Sequence, residues 1–134
     1  MNKELEKQLQ EKFPKQFREL YGNVRETCMY FGLTCGNGWH GIIEQACFQI
    51  QEELNAHPEL DFKWRQIKEK FGQLVLNGSP GNERIYEIIK KYQQKSLEIC
   101  EICSTDNDEI TTEGSWIRTL CKKCRSSPLQ CENS

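Results

Sequence analysis

Long apolar runs are missing from this chain, and nowhere does a hydrophobic stretch approach the roughly 18 residues of a membrane-spanning helix. That excludes a helical membrane anchor within these residues. The opening stretch, MNKELEKQLQEKF, is charged throughout and has no apolar region of the kind a secretory signal carries. The cytoplasm is therefore the expected compartment. A strong net charge is missing too: 18 basic residues stand against 20 acidic ones, net -2. A dedicated nucleic-acid binder draws most of its affinity from clustered Lys and Arg, so this balance disfavours one. Histidine is scarce, with two residues, and no acid, base and nucleophile fall into a recognisable shared site. The expectation is a protein that is not an enzyme.

Cysteine and aromatic residues, by contrast, are plentiful. With 37% hydrophobic and 28% charged residues the chain is polar yet able to fold. Its 134 residues suit one compact domain plus a small appendage with its own staple. Eight cysteines in a reducing compartment read as thiols or metal ligands rather than disulfides. Charge is unevenly spread: residues 1–60 carry 6 basic and 9 acidic side chains, 61–98 carry 8 and 5, and 99–134 carry 4 and 6. Only the middle is basic.

Along the chain, Leu5, Leu9, Phe13, Phe17 and Leu20 recur every three or four residues, as on an amphipathic helix. Pro14 divides this stretch and suits the first turn of a second helix. Residues 22–38 are loop-like. Asn37 is placed to cap a helix whose stripe is Trp39, Ile43, Ala46, Cys47, Ile50 and Leu54, ending before Pro58. Phe62 to Glu69 alternates as a strand, Phe71-Gly72 reads as a turn, and Gln73 to Leu76 returns. Ile85, Ile88, Ile89 and Tyr92 mark a last helix from near Asn82 to near Ser96. The expected fold is α+β, helices packed on a small antiparallel hairpin or sheet with a C-terminal zinc-ribbon-like module. Residues 1–98 form the main domain with its hairpin near 62–77, residues 99–125 the module, and residues 126–134 a polar tail.

Cys100, Cys103, Cys121 and Cys124 follow the spacing C-x2-C-x17-C-x2-C, which reads as tetrahedral zinc, one structural Zn2+ per chain. Two thiolates two residues apart reach one ion from a single tight turn, and a hairpin between the pairs brings the second turn to the opposite side. ITTEGSWIRTL supplies that hairpin, with Glu113-Gly114-Ser115 as its turn and Trp116, Ile117 and Leu120 as strand residues. Four thiolates leave no open position for a catalytic water. Redox chemistry at either Cys-x-x-Cys pair and a disulfide framework are the competing readings. Cys47 belongs to the apolar stripe. Cys28, Cys35 and His40 are irregularly spaced for a second metal site. Cys35 with His40 lacks an orienting group for nucleophilic chemistry. Cys131 reads as a free thiol in a polar tail, and His57, beside Pro58, as a solvated helix end.

CGNGWHGIIEQAC, QIKEKFGQL, the helix leading into CEIC, and GSWIRTLCKKC occur in an order that resembles a family of small, mostly uncharacterised proteins encoded by bacteriophages and prophages, over about residues 31–124. The resemblance implies a phage-type accessory protein in the bacterial cytoplasm and brings no established activity. After FGQL the family has an Arg-aromatic continuation where this chain has Val75-Leu76-Asn77, so a cationic face on the return strand is not implied.

The residues left over once the fold is satisfied are aromatic and cationic: Trp64, Arg65, Lys68, Lys70 and Phe71, joined by Trp39, Trp116 and Arg118. Such a set suits a stacked nucleotide or a protein hot spot. The plainer reading places these tryptophans and Phe71 in the core and makes the lysines a solvated strand face. The expected function is a non-catalytic, zinc-stabilised binding protein that modulates a host component. Counter-defence is one use, by blocking an immune protein or sequestering a nucleotide signal. The alternative is nucleic-acid or transcription-complex binding through Lys122, Lys123 and Arg125 of the second knuckle, opposed by Asp106, Asp108, Glu109 and Glu113.

Overall fold

The computed structural model describes residues 1–106 and 109–126; Asp108, Cys131 and the tail beyond Ser126 lie outside the described residues. Four helices pack with two small antiparallel sheets, an α+β arrangement that ends in a four-cysteine cluster. Helix α1 (Lys3–Lys12) begins where the Asn2 side chain accepts the Leu5 amide at 2.9 Å. The second helix expected from Pro14 does not form; residues 14–21 run as successive turns. The apolar positions of the N-terminal stretch are buried all the same, with Leu9, Phe13, Phe17 and Leu20 in the core.

Gln16 explains the broken helix. In a helix its carbonyl would accept the Leu20 amide. Here the carbonyl accepts Trp64 N–H at 2.9 Å, and the Leu20 amide turns to Phe17 O at 3.1 Å. The Gln16 side chain, fully buried, donates to Cys47 O at 2.9 Å and accepts the Trp64 indole N–H at 3.1 Å. One glutamine thus joins the N-terminal segment, a helix and a strand inside the core.

Helix α2 (His40–Ala56) buries the expected stripe of Ile43, Ala46, Cys47, Ile50 and Leu54. Asn37 does not cap it. Its Oδ1 accepts the Asn2 amide at 2.8 Å, and the helix is entered through a 3-10 turn, Asn37–Trp39. Strands β1 (Lys63–Lys70) and β2 (Gln73–Ser79) pair around Phe71-Gly72, with Lys70 opposite Gln73. The alternation expected along β1 is interrupted by a register shift between Trp64 and Gln66, which turns both Trp64 and Ile67 inward and leaves Arg65 outside. The outer edge of β2 is covered: Ser96 Oγ accepts Leu74 N–H at 3.0 Å and Gln93 Oε1 accepts Leu76 N–H at 2.8 Å. Both side chains come from α3 (Glu83–Lys95) and the turn after it. Asn82 caps α3 by accepting Ile85 N–H at 3.0 Å, and Ile85, Ile88, Ile89 and Tyr92 face inward, as the sequence predicts.

After Ile99 the chain enters a second apolar cluster of Cys100, Ile102, Leu120, Cys121 and Cys124, backed by Ile110. Strands β3 (Thr111–Glu113) and β4 (Arg118–Leu120) form its hairpin, and the short helix α4 (Lys122–Ser126) closes it. Because Glu113 pairs with Arg118, the turn holds four residues, and Trp116 and Ile117 lie in it rather than on a strand.

Replacing Gln16 by Ala takes the oxygen acceptor from the buried Trp64 indole N–H and removes the extra donor to the Cys47 carbonyl, which keeps its place in α2, at about 1–3 kcal/mol for the stranded N–H. Chemical denaturation is expected to show that loss for Gln16→Ala, whereas Glu11→Ala, which removes only an exposed pair with Lys7, shifts the midpoint hardly at all.

Candidate metal centre and the cleft beside it

The sulfurs of Cys100, Cys103, Cys121 and Cys124 all lie within 4.8 Å of one another, and Cys103 Sγ is 3.6 Å from Cys121 Sγ. A tetrahedral ion with metal–sulfur bonds of about 2.3 Å separates its sulfurs by about 3.8 Å, so the four positions fit one ion. Three are buried and Cys103 is exposed. Backbone amides point at the sulfurs as thiolates require. The Cys124 amide donates to Cys121 Sγ at 3.4 Å. Burial pushes the Cys100 thiol up, but the amides of Cys103, Cys121 and Ile102 outweigh it and hold the group below its ordinary value. Cys103 is raised, by burial and by the neighbouring Cys121 and Cys100 sulfurs. Cys124 is disulfide-bonded in this structure. A disulfide sulfur has no thiolate to give, so metal loading requires the reduced chain.

The first knuckle is pressed backbone to backbone on the turn that opens α2. Gly38 N–H donates to Glu101 O at 2.7 Å, Ser104 Oγ donates to Gly38 O at 2.9 Å, and the Trp39 indole donates to Ile99 O at 3.0 Å. A Cβ on Gly38 would sit 2.3 Å from Cys100 O, and one on Gly36 would sit 2.3 Å from Glu101 O. This contact is what the Gly-x-Gly of CGNGW serves. Glu101 is buried; its Oε2 accepts Gly36 N–H at 2.8 Å and its Oε1 lies 3.4 Å from the Arg118 guanidinium. Burial raises this carboxyl above the usual range. The ribbon hairpin is tied to the first knuckle by Glu101 N–H donating to Thr119 O at 3.0 Å, and it meets the other hairpin as well, where Thr119 Oγ1 donates to Gly72 O at 2.6 Å.

That second contact brings two turns together over a surface cleft of about 360 Å³, lined by Glu69, Lys70, Phe71, Ser115, Trp116 and Ile117. Phe71 is 71% exposed and Trp116 79%. Of the eight residues singled out in the sequence as ligand-binding candidates, Lys70, Phe71 and Trp116 converge there. The other five do not. Trp39 and Trp64 are completely buried, held by Ile99 O and Gln16 Oε1, and belong to the core. Arg65 sits at the β1 bulge bonded to Ser79 Oγ. Lys68 pairs with Val75 two residues short of the turn. Arg118 faces Glu101 and lines a different cavity of about 540 Å³ at the seam between the N terminus, residues 34–37 and the first knuckle.

The Cys35 thiol lines that seam cavity, where burial pushes it up to about 12. The His40 ring lies 3.9 Å from Glu44 on α2, and His40 is not among the residues lining the cavity. Cys47 is buried among apolar residues. Arg125 is turned inward onto the carbonyls of Thr111 at 2.7 Å, Arg118 at 2.9 Å and Glu113 at 3.2 Å, tying α4 to the hairpin. Of the basic residues in the second knuckle, Lys122 and Lys123 remain exposed. Comparison of the chain with protein-family models, curated proteins and solved structures finds no match.

Reduced protein is expected to bind one divalent metal per chain and to protect four thiols from alkylation; Cys121→Ser abolishes this and Cys28→Ser leaves it intact. Gly38→Ala, whose new methyl meets an immobile carbonyl, is expected to cost about 1–3 kcal/mol and to weaken metal retention against a chelator.

Proposed function

We propose that this chain is a non-catalytic, zinc-stabilised binding protein whose paired hairpin turns engage a host component. A site of four sulfurs and no oxygen or nitrogen ligand favours zinc or an iron–sulfur centre, and the closed hairpin-and-knuckle frame favours zinc. All four positions are taken by protein, so the ion's part is to order a segment with a small core of its own. The resemblance to phage-encoded proteins supports a host target, with blocking of an immune protein as one use.

The observation that carries the binding surface is Phe71. Two-residue hairpin turns of this kind favour Asn or Gly at the first position because φ is positive there. This chain has Phe71 at φ +53, with its ring exposed. A bulky residue in that region costs of order 1–3 kcal/mol, and an exposed ring recovers none of it by burial. Strain accepted without a packing return supports a role outside folding. The nucleic-acid alternative has less support, since Arg125 is spent on carbonyls and the neighbouring strand β3 ends in Glu113.

Phe71→Asn is therefore expected to raise stability by about 1 kcal/mol while lowering binding. Pull-downs from bacterial lysate with wild-type, Phe71→Asn and Trp116→Ala proteins check this. A stoichiometric partner retained by wild type and lost by both variants agrees with the reading; equal retention by all three contradicts it.

A further inference from the structure

The cleft between the two turns is built before any ligand arrives. Thr119 Oγ1 is bonded to Gly72 O and lies 2.6 Å from Thr112 Oγ1, so the tip of the β1–β2 hairpin is fastened to the middle of the β3–β4 ladder. Gly72 has no room to retreat, since even a Cβ there would sit 2.7 Å from the Thr112 methyl. The lining offers three apolar side chains, Phe71, Trp116 and Ile117, each with large exposed area. Around them stand one cation and one anion. The Lys70 ammonium lies 5.8 Å from the Phe71 ring centre, and Lys70 is exposed. Glu69 uses Oε2 on the Gly72 amide at 2.7 Å.

This charge pattern separates the two ligand classes that an aromatic cleft suits. A nucleotide or single-stranded nucleic acid needs stacking plus several cations or free backbone amides for its phosphates. The lining has a single lysine, opposed by a glutamate, and the Gly72 amide is already occupied. A protein segment needs an apolar anchor in a preformed site and few, well-placed charges at the rim. We propose that the cleft takes a large apolar or aromatic side chain of a partner protein, next to an acidic residue that pairs with Lys70. This rests on the reading of the paired turns as the binding surface and names its occupant.

The test is selection of a random peptide library on the reduced, zinc-loaded full chain, followed by binding titrations of the selected peptides. The expected consensus is one aromatic or large aliphatic residue flanked by Asp or Glu. Trp116→Ala is expected to weaken those peptides at least tenfold with unchanged zinc content, and Lys70→Glu to shift the selected flank from acidic to basic. Selection that yields no consensus overturns the proposal. ATP or an oligothymidylate binding in a Trp116-dependent way, with no peptide enriched, also overturns it while leaving the turns as a binding surface. Peptides that bind Trp116→Ala and Phe71→Asn as well as wild type overturn both.

Discussion

The backbone contact between Cys100-Glu101 and the Gly36–Trp39 turn is the constraint on which the rest of the molecule depends. It joins the four-sulfur module to the main core through the Gly38 and Trp39 donors rather than through a broad apolar interface. Two glycines permit it, because any side chain at either position would enter the knuckle backbone. The Glu101 side chain deepens the same joint by reaching the Gly36 amide, and Arg118 offsets part of the cost of burying that carboxylate. The ribbon then has a fixed direction, and its turn meets the tip of the β1–β2 hairpin.

Seen this way the four cysteines act at a distance from any binding event. Their own apolar cluster is small, so under the proposed reading a hairpin of three-residue strands would gain its order chiefly from an ion held by the sulfurs. What that order secures is the position of Trp116 relative to Phe71. Neither ring contributes to the core, and one sits on a backbone that Gly or Asn would adopt with less strain.

Much of the architecture was legible in the sequence because it rests on local periodicity. The stripe of α2, the Asn82 cap of α3, the Phe71-Gly72 turn and the two Cys-x-x-Cys pairs are each written within a few residues. What could not be read rests on partners distant in the chain. Gln16 abandons a helix because Trp64, 48 residues on, takes its carbonyl and its side chain. The β1 bulge moves Ile67 inward against the simple alternation. Trp39 and Trp64 looked available for a ligand because composition does not say which tryptophan finds an acceptor inside the core; both do. Trp116 finds none in the core and stays outside. The Gly-x-Gly before Trp39 and the demand for positive φ at Phe71 were present in the sequence, and only the docked module gives them meaning.

The central claim is that the metal, by ordering the ribbon, sets Trp116 beside Phe71. Nuclear Overhauser contacts between the Thr112 and Ile117 methyls and the Gly72 α-protons report that junction directly, since a Cβ on Gly72 would lie 2.7 Å from Thr112 Cγ2 and 3.4 Å from Ile117 Cγ2. The account predicts these contacts in reduced, zinc-loaded protein and their loss on chelation, while contacts between α2 and α3 persist. Contacts at the Gly72 junction that survive complete removal of the metal would contradict it.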